Sequence, residues 1–197
     1  MSQRYSDDLI LDAARACVAD RGIARTTVTD VARRAGASRM TVYRTFPDAA
    51  SLWSTLLTRE IGGIIAAADE AAAGLPTARQ RLIASTLHAV TVLRHDPVIR
   101  RVIELDGERL LPYLTVRRGH AQEIAVAAAR AHLEEGHRDG SIRALDEAAA
   151  SRLIELVLRS VVAAAPSLVD DALAGRIDRE LSEMLDAYLR PRAEPAA

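Results

Sequence analysis

The chain has 197 residues, 49% of them apolar and 27% charged, a balance that fills a sizeable core and excludes a disordered chain. No uninterrupted apolar run approaches the roughly 18 residues of a membrane span, so no membrane partner is expected. The net charge is −1, with nine arginines against seven acids over residues 1–60 and 17 against 20 beyond, which is too mild an asymmetry to establish a nucleic-acid partner alone.

Apolar spacing is helical almost throughout, and no stretch of four or more residues alternates as a half-buried strand would, so an all-α fold is expected. Residues Met1 to Asp8 carry acids where a secretory signal needs a basic patch and an apolar stretch, which points to a cytoplasmic protein. Ser6 is placed to cap a first helix with Asp7 and Asp8 in its opening turn. Ile10, Ala13, Ala14 and Cys17 share one face of it, and Gly22 ends it. Cys17 is the single cysteine, so it forms no intrachain disulfide and reads as a packed core thiol.

Thr27 opens a short second helix whose Val28, Val31, Ala32 and Ala35 fall at i, i+3, i+4 and i+7. Gly36 ends that helix, and Ser38 caps a third one running to Phe46. Pro47 stops the third helix, and Asp48 begins a long fourth to about Ala73, with Gly62 and Gly63 available for a bend. Further starts are a Thr77–Gln80 capping box, Asp96 before Pro97, and Asp146; stops fall at 74–76, 136–140 and Pro166. Eight to ten helices with short connections are expected, followed by a frayed tail over 191–197.

Two short capped helices joined by a glycine turn make a helix-turn-helix. On the third helix, 100° per residue sets Val42 and Phe46 on the buried side and turns Met40, Thr41, Tyr43 and Arg44 outward. Tyr and Met beside Arg are odd for a solvent face and apt for a DNA groove. Arg44 can fork onto guanine, Thr41 and Met40 can pack on a thymine methyl, and Tyr43 can donate to phosphate. Ser38 and the free N–H groups at the helix start offer a second phosphate site; Thr27 and Arg39 complete the expected DNA-binding set.

The residues Gly22, Thr27-Val28-Thr29-Asp30-Val31-Ala32-Arg33-Arg34-Ala35-Gly36-Ala37-Ser38 and Val42-Tyr43-Arg44-Thr45-Phe46-Pro47-Asp48, followed by Leu52, resemble the TetR family of transcriptional repressors over roughly 8–57. The resemblance implies an all-helical homodimer: an N-terminal three-helix helix-turn-helix domain, set at 1–47, and a C-terminal helical ligand-binding and dimerisation domain, set at 48–197. It implies double-stranded operator DNA and a small-molecule effector as partners, with a palindromic operator and no catalytic chemistry. Thr45 stands where the family usually has His, and Ala49 where it usually has Lys. Both usual residues touch the DNA backbone, so phosphate grip here is weaker or is supplied by Arg25, Arg33 or Arg39.

Beyond residue 60 the expectations are coarser. His88, Tyr113 and His120 lie in apolar helical context and read either as polar fixtures of an effector cavity walled by Val102, Leu110 and Ile124, or as satisfied core residues. The five histidines include no i, i+4 pair, so neither a metal nor another cofactor is expected. Trp53 reads as packing between the two domains. The stripe Leu153, Leu156, Val157 and Ser160, with Leu181, Met184, Leu185 and Tyr188, leaves apolar faces on the last two helices, which the resemblance pairs across a two-fold axis into a four-helix bundle. The competing class is a helical-bundle enzyme or small-molecule carrier without DNA binding; against it, no nucleophile–base pair, glycine-rich phosphate loop or metal spacing is present.

Overall fold

A computed structural model describes residues 2–115, 119–164 and 171–191. Its described residues form nine helices and no strand: α1 (Ser2–Arg21), α2 (Val28–Arg34), α3 (Arg39–Thr45), α4 (Ala49–Ala72), α5 (Ala78–His95), α6 (Pro97–Thr115), α7 (His120–Arg138), α8 (Glu147–Ala163) and α9 (Asp171–Leu189).

Most boundaries follow from capping chemistry. Thr27 and Asp30 form a reciprocal capping box at the start of α2, and the Ser38 hydroxyl accepts the Thr41 N–H at 3.0 Å to start α3. Asp48 accepts the Ser51 N–H at 2.7 Å ahead of α4. Thr77 and Gln80 close a box ahead of α5, Asp96 accepts the Val98 and Ile99 N–H groups, and Asp146 accepts that of Ala149.

One expected boundary moves. α1 begins at Ser2, so Ser6 lies within the helix: serine's preference for caps is small enough for a flanking segment of tolerable helix formers to override it. α7 ends at Arg138, within the stop expected at 136–140, and the turn comes at Gly140, whose φ is +72°. Gly136 is there for room, since a Cβ on it would sit 2.3 Å from Ile142 Cδ1. Pro166 and residues 192–197 lie outside the described residues.

The chain packs as two compact units, residues 1–61 with 95–121, and residues 62–94 with 122–197. The core of the first joins Ile10, Ala14, Cys17 and Val18 of α1, Val31 of α2, Val42 of α3, Leu52 and Leu56 of α4, and Val98 and Val102 of α6. Trp53 packs on this same core. Packing therefore groups α6 with the helix-turn-helix despite their distance in sequence, because its Val98, Ile99 and Val102 form a buried apolar stripe. Arg15 braces the unit, donating to Glu60 of α4 at 2.6 Å and to Asp96 at 2.8 Å.

The core of the second unit joins Leu82 and Val90 of α5, Ala129 and Leu133 of α7, Ile142 of the α7–α8 connection, Ala150 and Ile154 of α8, and Leu181, Leu185 and Leu189 of α9. A bidentate pair links Arg94 on α5 to Asp178 on α9. Arg143 donates to the Tyr188 carbonyl at 2.6 Å and lies over the Tyr188 ring, fastening the end of α9 to the α7–α8 connection.

Candidate nucleic-acid interface

The turn between α2 and α3 is fixed by the backbone. Gly36 has φ +66°, the Ala37 N–H bonds the Ala32 carbonyl at 2.9 Å, and the Gly36 N–H bonds that of Arg33 at 3.3 Å, so α2 ends in a Schellman-type closure. Ser38 follows at once with extended backbone and starts α3. Val42 is fully buried and Phe46 nearly so, which pins one side of α3 to the first core and leaves the other to solvent.

On that outer side Arg39 and Arg44 are exposed, and Met40 is 76% exposed, the most exposed large apolar side chain among the described residues. Thr41 is half-buried, with its hydroxyl 2.9 Å from that of Ser38. Tyr43 is half-buried, its ring resting partly on the core with the Arg39 guanidinium 5.9 Å from its centroid. The outward face is thus narrower than the sequence placed it: Met40 and Arg44 stand free, while Thr41 and Tyr43 present edges.

Charge pairing sorts the arginines. Arg33 pairs with Asp30 at 2.7 Å, Arg34 with Asp20 at 2.8 Å, and Arg21 lies 3.9 Å from Asp30. Among the described residues, Arg25, Arg39 and Arg44 have no ion-pair partner, and α3 itself carries no acid. Cations left without a carboxylate beside a protruding Met suit an anionic partner with base edges. Thr27 is exposed, yet its hydroxyl donates to Asp30 Oδ2 at 2.7 Å and accepts the Asp30 N–H, so a phosphate there has to compete with the cap. Thr45 turns towards α1, donating to Asp7 at 3.3 Å, and Ala49 is exposed.

The Asp30 carboxyl is held below the usual carboxylate range, chiefly by the Thr27 hydroxyl, then by the Thr27 N–H, with Arg21 and Arg33 adding to both. The cap of α2 is therefore ionised at neutral pH.

The other expected site residues are not gathered in one place. Val102 is buried in the first core, whereas Ile124 is a half-buried residue of the second unit, its Cδ1 3.4 Å from where a Cβ on Gly62 would lie. His88 and His120 are exposed, and the side chains of Leu110 and Tyr113 lie outside the described residues. No group of three metal-ligating side chains gathers among the described residues. On the last two helices, Leu153, Leu156, Ser160 and Met184 are exposed, Val157 and Tyr188 are half-buried, and Leu181 and Leu185 lie inside their own chain's core.

Fold and face together define a helical DNA-binding regulator of the helix-turn-helix type. The model for bacterial regulatory proteins of the tetR family matches residues 10–52. An HTH-type transcriptional regulator of Mycobacterium tuberculosis is 32% identical over 185 residues, covering 91% of this chain and 92% of the relative. Among solved structures, a TetR-family transcriptional regulator from Pectobacterium atrosepticum superposes with a TM-score of 0.77 at 18% identity, over 97% of this chain and 98% of the other. The transcriptional regulator FadR from Bacillus subtilis, solved in complex with stearoyl-CoA, does so with a TM-score of 0.67 at 20% identity, over 92% and 98%. The chain belongs to the TetR family; it is a transcriptional regulator and not an enzyme.

Proposed function

We propose that the protein is a cytoplasmic repressor that binds a palindromic operator as a homodimer and is released by a small, largely apolar effector. The observation carrying the DNA assignment is the outer face of α3, where Met40 protrudes and neither Arg39 nor Arg44 meets an acid among the described residues. Met40 and Arg44 read base edges, while Arg39, Arg25, Tyr43, Ser38, Thr41 and Thr27 serve the backbone. With Arg33 engaged by Asp30, and Thr45 and Ala49 in the places where the family usually has His and Lys, Arg25 and Arg39 take over the phosphate grip.

The homodimer rests on the exposed apolar residues of α8 and α9, and a two-fold dimer reads inverted half-sites about 34–36 Å apart. The effector rests on half-buried apolar residues between 60 and 135, Ile64, Leu93 and Ile124, and on FadR having been solved with an acyl-CoA.

Selection of duplexes from a random pool, checked by gel shift on DNA flanking the protein's own gene, tests the reading. A selected inverted repeat that recurs beside the gene supports it. Retention of no duplex, or of an asymmetric one bound by a monomer, overturns it.

A further inference from the structure

The segment joining α1 to α2 delivers the helix-turn-helix to DNA, and its clamp comes from far along the chain. Asp106 on α6 is 3% exposed, and its two carboxylate oxygens accept the N–H groups of Ile23 at 2.8 Å and Ala24 at 2.9 Å. These are consecutive backbone donors just past the end of α1, and no other side chain among the described residues bonds them. Gly22 completes the seat. Its φ is +79°, and a Cβ there would lie 2.9 Å from Asp106 Oδ2, so the glycine both makes the turn and leaves room for the carboxylate.

The grip coincides with a fault in α6. Asp106 has φ −120° and ψ 19°, outside the helical region, so the helix breaks at the residue whose side chain reaches the joint. The break and the grip thus fall on one residue, whose carboxylate makes two charge-assisted bonds, to the half-buried Ile23 and the exposed Ala24. One turn earlier Arg101 donates to the Ala19 carbonyl at 3.2 Å, so α6 holds the last turn of α1 as well as the segment after it. Just beyond, Thr26 bonds the Gly22 carbonyl at 2.6 Å, and Thr27 caps α2. A continuous set of bonds therefore runs from the break in α6 to the first turn of the helix-turn-helix.

We propose that Asp106 is a positioning residue for DNA binding, a latch that seats the α1–α2 joint while α6 is broken at Asp106 and frees it when α6 becomes continuously helical there. The latched form holds Arg25 and the start of α2 for the operator; the straightened form withdraws the carboxylate and leaves the Ile23 and Ala24 N–H groups to water. This deepens the effector-release reading above and rests on it only for what drives the straightening. The latch itself is testable without an effector.

Amide exchange on the full chain decides it first. In the parent, the Ile23 and Ala24 amides are expected to exchange about 100-fold more slowly than free amides, and exchange at the free rate overturns the proposal. In Asp106→Asn, which keeps size but offers one acceptor, those two amides are expected to exchange about tenfold faster, and affinity for a duplex selected by the parent to fall about tenfold. The salt dependence of binding should keep its slope, because no phosphate contact is lost. Gly22→Ala, which crowds the same oxygen from the opposite side, should act in the same direction. Unchanged affinity in both variants, or lost affinity with unaltered exchange at Ile23 and Ala24, overturns the latch. If the parent selects no duplex, the DNA reading fails while the exchange data still decide the contact.

Discussion

At the scale of single residues, the three arginines between residues 21 and 47 that lack ion-pair partners, Arg25, Arg39 and Arg44, divide by what they reach. Arg44, on the exposed face of α3, is assigned to a base edge. Its replacement by Ala should cost about 1–3 kcal/mol of operator binding and relax preference at one position of the half-site. Tyr43→Phe removes only a hydroxyl assigned to the DNA backbone, so it should weaken all duplexes alike. Affinity measured on the selected site and on single-base variants separates the two patterns. Asp30 gives a pH prediction. Its carboxyl is lowered in the folded state, chiefly by Thr27, so its contribution to stability is complete above the unfolded carboxylate pKa and is lost as pH falls through the folded one. Thermal melts of the parent and Asp30→Asn should differ at neutral pH and converge in acid. Parallel curves over the whole range would remove Asp30 from the account. That Asp30 caps α2 was legible, because the Thr27–Asp30 spacing is local. That it also captures Arg33 was not, since choosing among nearby cations is decided by side-chain geometry.

At the scale of elements, sequence fixes what a few neighbouring residues can decide. The caps at Ser38, Thr77, Asp96 and Asp146 were readable because each is a side chain bonding an N–H two or three positions on. Ser38→Ala should therefore cost about 1 kcal/mol of stability and a further loss in DNA affinity as α3 frays at its start, checked by denaturant melts beside gel shifts. Gly136 shows what local reading leaves out. Glycine near a helix end reads as a stop, and Gly136 does lie in the last turn of α7, but it is also there because Ile142, six positions on, needs the space its side chain would fill. Gly136→Ala should destabilise the second unit by about 1–3 kcal/mol through overpacking, although alanine is the better helix former. A stabilised melt would show that Ile142 yields cheaply.

At the scale of the whole molecule, the boundary read from sequence and the packing observed ask different questions. The motif ends near residue 47, but the core beneath it also draws on Leu52 and Leu56 of α4 and on Val98 and Val102 of α6. Hydrophobic periodicity gives a helix its apolar face without saying which partner covers it, and α6 is covered by elements some eighty positions away, as Ile23 and Asp106 illustrate. The same limit governs the dimer. From sequence, Leu156 and Leu185 look equivalent, one on each of the last two helices. In the structure Leu156 is 42% exposed and Leu185 is 3% exposed, so the two leucines report on different things. Leu156→Glu places a charge where a partner subunit would sit and leaves the chain's own core intact; it should yield a folded monomer with weakened operator binding. Leu185→Glu buries an unpaired charge inside the second core and should unfold it, because desolvating a lone carboxylate costs several kcal/mol against the 5–15 kcal/mol that is usual for a domain. Sedimentation velocity with far-ultraviolet circular dichroism distinguishes these outcomes. A dimer undisturbed by Leu156→Glu and by Leu153→Glu would move the two-fold interface off α8, and the inverted-repeat spacing expected of the operator would have to be derived from another face.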